Sequence, residues 1–91
     1  MKVVLEPVSG TAKDNLDRAR LEIERLLDFR GSVTSVKAKG TRITVEVKIN
    51  PVWNLPMSEK VSYLQEWIPA KGRKVFEVHE VSPRVIQRRK G

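Results

Sequence analysis

The chain of 91 residues predicts a two-layer α+β sandwich, and three observations lead there. Four segments are rich in β-branched and aliphatic residues, with clean apolar–polar alternation over residues 42–49, and apolar residues recur at helical spacing in two others. These segments follow the order strand, helix, strand, strand, helix, strand. The connections are short, and none has the composition of a linker. One α+β domain over residues 1–83 is therefore expected, followed by a basic tail over 84–91 that is expected to be flexible.

Residues 2–8 (KVVLEPV) are aliphatic and β-branched, fit a first strand, and run into the turn Ser9-Gly10. Thr11 can cap a helix with Asp14 three positions on. Ala12, Leu16, Ala19, Ile23, Leu26 and Leu27 then repeat at helical spacing as far as Arg30. Gly31 suits a left-handed residue closing that helix. Asp14/Arg18, Arg18/Glu22 and Arg20/Glu24 stand four residues apart and read as ion pairs on a solvated face, with Leu21 a single exposed apolar residue.

Over residues 32–49 two strands meet at Lys39-Gly40-Thr41, a hairpin turn. Val36 and Ala38 share one side of the first strand, opposite Lys37 and Lys39. Ile43, Val45, Val47 and Ile49 share one side of the second, opposite Arg42, Thr44, Glu46 and Lys48. After Asn50-Pro51 and an irregular VWNLP stretch, Met57, Val61, Leu64 and Ile68 mark a second helix. Asn54 or Ser58 is its expected cap and Pro69 its expected end. The turn Lys71-Gly72-Arg73 leads to a last strand over residues 74–81, stopped by Ser82-Pro83.

Helices packed on one face of an antiparallel sheet suit this order, most simply as the ferredoxin-like split βαβ arrangement. That is a βαββαβ two-layer sandwich with antiparallel sheet order 4-1-3-2. In that topology the amino end of the first helix, the hairpin tip and the turn after the second helix fall at one end of the domain. Lys37, Lys39, Arg42, Lys71, Arg73 and Lys74 would converge there, beside the unpaired amides of Gly10-Thr11-Ala12.

Charge placement strengthens this expectation. The formal net charge is +7, and residues 1–30 balance six basic against six acidic side chains. The whole surplus therefore lies in residues 31–91, including the tail residues Arg84, Arg88, Arg89 and Lys90. A basic face of this kind attracts phosphate polymers or acidic protein surfaces.

Several chemistries are disfavoured. The chain contains no Cys, which removes disulfides, thiolate metal sites and thiol catalysis. The longest aliphatic run, Val3-Val4-Leu5, is too short for a signal core or a membrane span, so a soluble cytoplasmic protein without membrane contact is expected. Strands 1 and 3 lack the aromatic residues on which an RNA-recognition domain stacks bases, and no GxxG loop of the KH type occurs. The loop PVSGTAK has no Arg and so does not match the arginine-bearing loop of acylphosphatases.

His79 has no Cys or second His to share a metal with, and is expected on one face with Glu77. Glu6, Glu46 and Glu77 could meet on the open sheet face, but cross-strand pairing with Lys2 and Lys48 is the simpler expectation. No catalytic residue, metal or cofactor is assigned. Trp53 is mainly a packing residue and, more weakly, a partner anchor.

The expected function is a non-catalytic module that binds RNA or DNA by its phosphate backbone through Lys37, Lys39, Arg42, Lys71, Arg73 and Lys74, with the tail adding reach. The alternative is a protein-interaction or homo-oligomeric assembly subunit, such as a homodimer or a mobile-element accessory protein.

Overall fold

The computed structural model describes residues 1–71 and 75–83. Four strands, β1 (Lys2–Pro7), β2 (Gly31–Lys39), β3 (Arg42–Ile49) and β4 (Phe76–Ser82), and two α-helices, α1 (Leu16–Leu27) and α2 (Met57–Lys71), make an α+β fold. The sheet is antiparallel throughout in the order β2-β3-β1-β4. Counted from the other edge, the same order reads 4-1-3-2. No helix among the described residues is long and apolar enough to cross a membrane.

Alternation on each strand sends one set of side chains into a single core. Val3 and Leu5 of β1, Ile43, Val45 and Val47 of β3, Val33 of β2, and Phe76 and Val81 of β4 are all buried. Ala19, Ile23 and Leu27 of α1 and Leu64 and Ile68 of α2 meet them from above. Both helices therefore cover one face, and the opposite face of the sheet is open to solvent.

Local chemistry explains where the elements begin and end. The Thr11 hydroxyl accepts the Asp14 N–H at 3.1 Å, and Asn15 Nδ2 donates to the carbonyls of Ser9 and Thr11. This ties the turn to a short 3₁₀ segment, Lys13–Asn15, that leads into α1. Four readings of the sequence need correction. The residue that turns left-handed after α1 is Asp28, at φ 55°, while Gly31 is extended and begins β2. None of the ion pairs expected along α1 closes; Glu22 instead reaches three residues on to Arg25 at 3.2 Å.

The third correction is the start of α2, which is capped by neither Asn54 nor Ser58: the N–H groups of Glu59 and Lys60 donate to the Pro56 carbonyl. The fourth is Pro69, which lies inside the last turn of α2 rather than ending it. A proline there removes one hydrogen bond, and the helix stops two residues later.

Gly31 is required by close approach and not by its backbone angle. A Cβ at this position would lie 2.7 Å from the Lys48 carbonyl oxygen, on the strand it pairs with. Gly31→Ala should therefore lower the unfolding free energy by about 1–3 kcal/mol through overpacking, measured by chemical denaturation.

At the same end of the sheet the Met1 ammonium donates to the Val47 carbonyl at 2.8 Å, and the Val47 N–H donates back to the Met1 carbonyl. Burial lowers the pKa of this ammonium below its ordinary 8.0, and nearby Glu46 opposes the shift in part. The unfolded chain then holds the proton more tightly than the folded one, so this stability is full above pH 8.0 and is lost as pH falls through the lowered folded value. Denaturation midpoints should rise with pH in that window, and acetylating the amine should remove this part of the dependence.

Candidate functional site

The open face follows from the same register that builds the core. Ala38 lies opposite buried Ile43, so Lys37 and Lys39 point the other way, together with Arg42. Lys39 is directly opposite Arg42, and Lys37 is opposite Thr44. All three basic residues are exposed. No carboxylate among the described residues lies within 4.0 Å of any of them; the ion pairs found are Lys2–Glu80, Arg25–Glu22 and His79–Glu6. Like charges directly opposite on neighbouring strands destabilise a sheet. Here one such pair stands at the hairpin tip.

Leu5 pairs with Ile43 and Pro7 with Phe76, so the end of β1, the hairpin tip and the start of β4 share one end of the domain. The Val8 N–H donates to the Val75 carbonyl at 2.9 Å, holding the chain entering β4 against the chain leaving β1. Lys71 closes the backbone of α2. Arg73 and Lys74, and the tail residues Arg84, Arg88, Arg89 and Lys90, lie outside the described residues. The amino end of α1 offers less to an anion than its position suggests. Thr11 already accepts the Asp14 N–H, Asn15 N–H donates to the Ala12 carbonyl, and Asp14 brings negative charge.

The β1–β4 half of the open face is acidic. Glu6 is directly opposite Glu77, and His79 Nε2 lies 2.7 Å from Glu6 Oε1. Glu6, Glu46 and Glu77 do not meet as a trio, because Glu46 is opposite Lys2, four residues down β1 from Glu6, in line with the simpler expectation of cross-strand pairing with Lys2. The histidine is brought in by a β-bulge. Val4 pairs with Glu80 and Leu5 with Val78, which leaves His79 as the extra residue. A bulge lets two consecutive residues serve one face. His79 reaches Glu6 while Glu80 meets Lys2 Nζ at 3.6 Å, and Val81 still returns to the core. The shared face of Glu77 and His79 is visible in the alternation of FEVHEV, but the carboxylate level with them depends on register.

The opposite end of the domain is aromatic. Asn50 organises it: its Nδ2 donates to the Phe29 carbonyl at 3.1 Å, its Oδ1 accepts from Val52 N–H, and its carbonyl accepts from Trp53 N–H. Trp53 is only 6% exposed, packed beside Tyr63, whose ring in turn contacts Trp67 with centroids 4.7 Å apart. The Arg30 guanidinium lies over the rings of Phe29, Trp67 and Trp53 at 4.7, 5.0 and 5.9 Å. Trp53 is thus a packing residue that joins the loop to the helices, and its buried ring does not project as an anchor.

No protein-family model, curated protein or solved structure matches the chain. The functional reading therefore rests on the residues themselves. For Trp53 it makes a direct prediction. Trp53→Ala should lower stability by about 3–5 kcal/mol, as for other buried aromatics, with the loss visible in thermal or chemical denaturation in the absence of any partner.

Proposed function

We propose that the protein is a ferredoxin-like, non-catalytic module that holds nucleic acid by its phosphate backbone. The grip is the ridge Lys37, Lys39 and Arg42 on the open face, and Lys71, Arg73, Lys74 and the basic tail extend it. The observation that carries this reading is the direct opposition of Lys39 and Arg42 with no carboxylate among the described residues within 4.0 Å of either. Such a pair raises the energy of the free protein, and a line of phosphates lowers it by standing between the charges. The open faces of β1, β2 and β3 carry no aromatic side chain. Base stacking therefore contributes nothing on those strands, and binding is to backbone and not to sequence.

The competing reading as an assembly subunit draws on a sheet edge or the Trp53 loop as the partner surface; the Trp53 ring is buried, and the edge strands β2 and β4 are what that reading keeps.

Polarisation titrations with a labelled nonspecific duplex should show binding at low salt that weakens steeply as salt rises. Removing one ridge charge should reduce the slope of log K against log salt by about 1. Lys39→Glu is the sharpest variant. It converts a like-charge pair into an opposite-charge pair, so it should weaken binding while raising thermal stability by up to about 1 kcal/mol. Charge reversal at Arg18 and Arg20 on α1 should have a smaller effect on binding. Absence of binding at low salt, or equal effects of the two sets of reversals, contradicts the proposal.

A further inference from the structure

We propose that Glu6, Glu77 and His79 form a binding site for one divalent transition-metal ion of the Zn²⁺ or Mn²⁺ class, independent of the nucleic-acid ridge. Each residue offers one ligand atom, and the three atoms lie within 4.8 Å of one another. Tetrahedral ligands held at about 2.0–2.2 Å stand about 3.3–3.6 Å from one another. Rotation of these exposed and half-exposed side chains draws the wider separations in to coordination. Glu6 Oε1 and His79 Nε2 are already 2.7 Å apart.

An acidic surface patch alone would not support a site, since exposed carboxylates are commonly just solvated. Three features distinguish this one. First, the donor set is mixed. An imidazole nitrogen with two carboxylates suits Zn²⁺ or Mn²⁺ better than the all-oxygen shells of Ca²⁺ and Mg²⁺.

Second, the two carboxylates are directly opposed in the β1–β4 register, and neither has a Lys or Arg within 4.0 Å among the described residues. The same strand pair does neutralise its next open-face carboxylate: Glu80 has Lys2 at 3.6 Å. The uncompensated charge is therefore confined to the positions that His79 joins. Third, the ligands stand on paired strands whose neighbouring residues Leu5 and Val78 pack in or against the core, so their backbone positions are held firmly. The bulge at His79 is the device that adds the nitrogen without turning Val81 out of the core.

A neutral imidazole ligates through Nε2 with its proton on Nδ1, so binding exchanges the hydrogen bond to Glu6 for a shared metal. Coordination positions beyond these three ligands face solvent and take water.

His79 is the single histidine of the chain, which makes its ring a specific reporter. The test is a Zn²⁺ titration of the tag-free, chelator-treated full chain, followed by NMR of the imidazole resonances. The ring signals should shift and saturate at one equivalent. Glu77→Gln should weaken binding by about tenfold or more, since even residues that only orient a ligand have effects of that order. Glu80→Gln should leave binding unchanged.

Glu77 is exposed on an edge strand, and losing its charge relieves the repulsion with Glu6, so the variant should remain folded, as an unchanged circular dichroism spectrum would show. Imidazole signals that stay fixed in excess Zn²⁺, or a folded Glu77→Gln chain that binds as the original does, would overturn the site.

Discussion

The pairing of β1 with β3 holds the rest of the structure in place. Val3 faces Val45 and Leu5 faces Ile43, and none of these four side chains is exposed. Because strand side chains alternate, burying this set commits Lys2, Val4 and Glu6, with Arg42, Thr44 and Glu46, to the opposite face. A slip of one residue would drive Lys2, Glu6 or Arg42 under the helices, at a cost of several kcal/mol for each unpaired charge. The face proposed to bind is thus the reverse side of the core.

Two consequences follow from that constraint. Hydrogen bonding of β1 on both sides makes it the divide of the open face, with basic residues toward the β2–β3 hairpin and acidic residues toward β4. Toward the hairpin end each half has a like-charge pair directly opposed, Lys39 with Arg42 and Glu6 with Glu77, while at the other end Lys2 stands between Glu46 and Glu80. Either pair could have been replaced by an opposite-charge pair with some gain in stability. Keeping both makes the isolated domain less stable than its fold allows, which is why we propose a charged ligand of opposite sign for each half, a phosphate chain on one and a metal ion on the other.

Much of this was legible in the residues. The alternation of RITVEV, the helical spacing of Leu16, Ala19, Ile23 and Leu27, and the glycine at the hairpin tip specify their elements through local chemistry. The opposed faces of Val36/Ala38 and Lys37/Lys39 follow from the same period. What stayed hidden depends on contacts between distant segments. Whether Glu6 or Glu46 stands level with Glu77 is a matter of register, and the bulges at Thr34 and His79 shift that register without a marker in composition. Gly31 looked like a helix terminator because its close neighbour, the Lys48 carbonyl, is supplied by another strand. Trp53 was ambiguous for a similar reason: a loop tryptophan is buried or exposed according to what Asn50 and Arg30 do around it.

The most direct test of a binding face set by the β1–β3 register is to map amide shifts on adding a short nonspecific oligonucleotide at low salt. The largest perturbations should fall on residues 35–44 of β2, the hairpin and β3, and α1 from Arg18 to Arg25 should be little affected. Perturbations centred on α1, or none at all, would contradict the account.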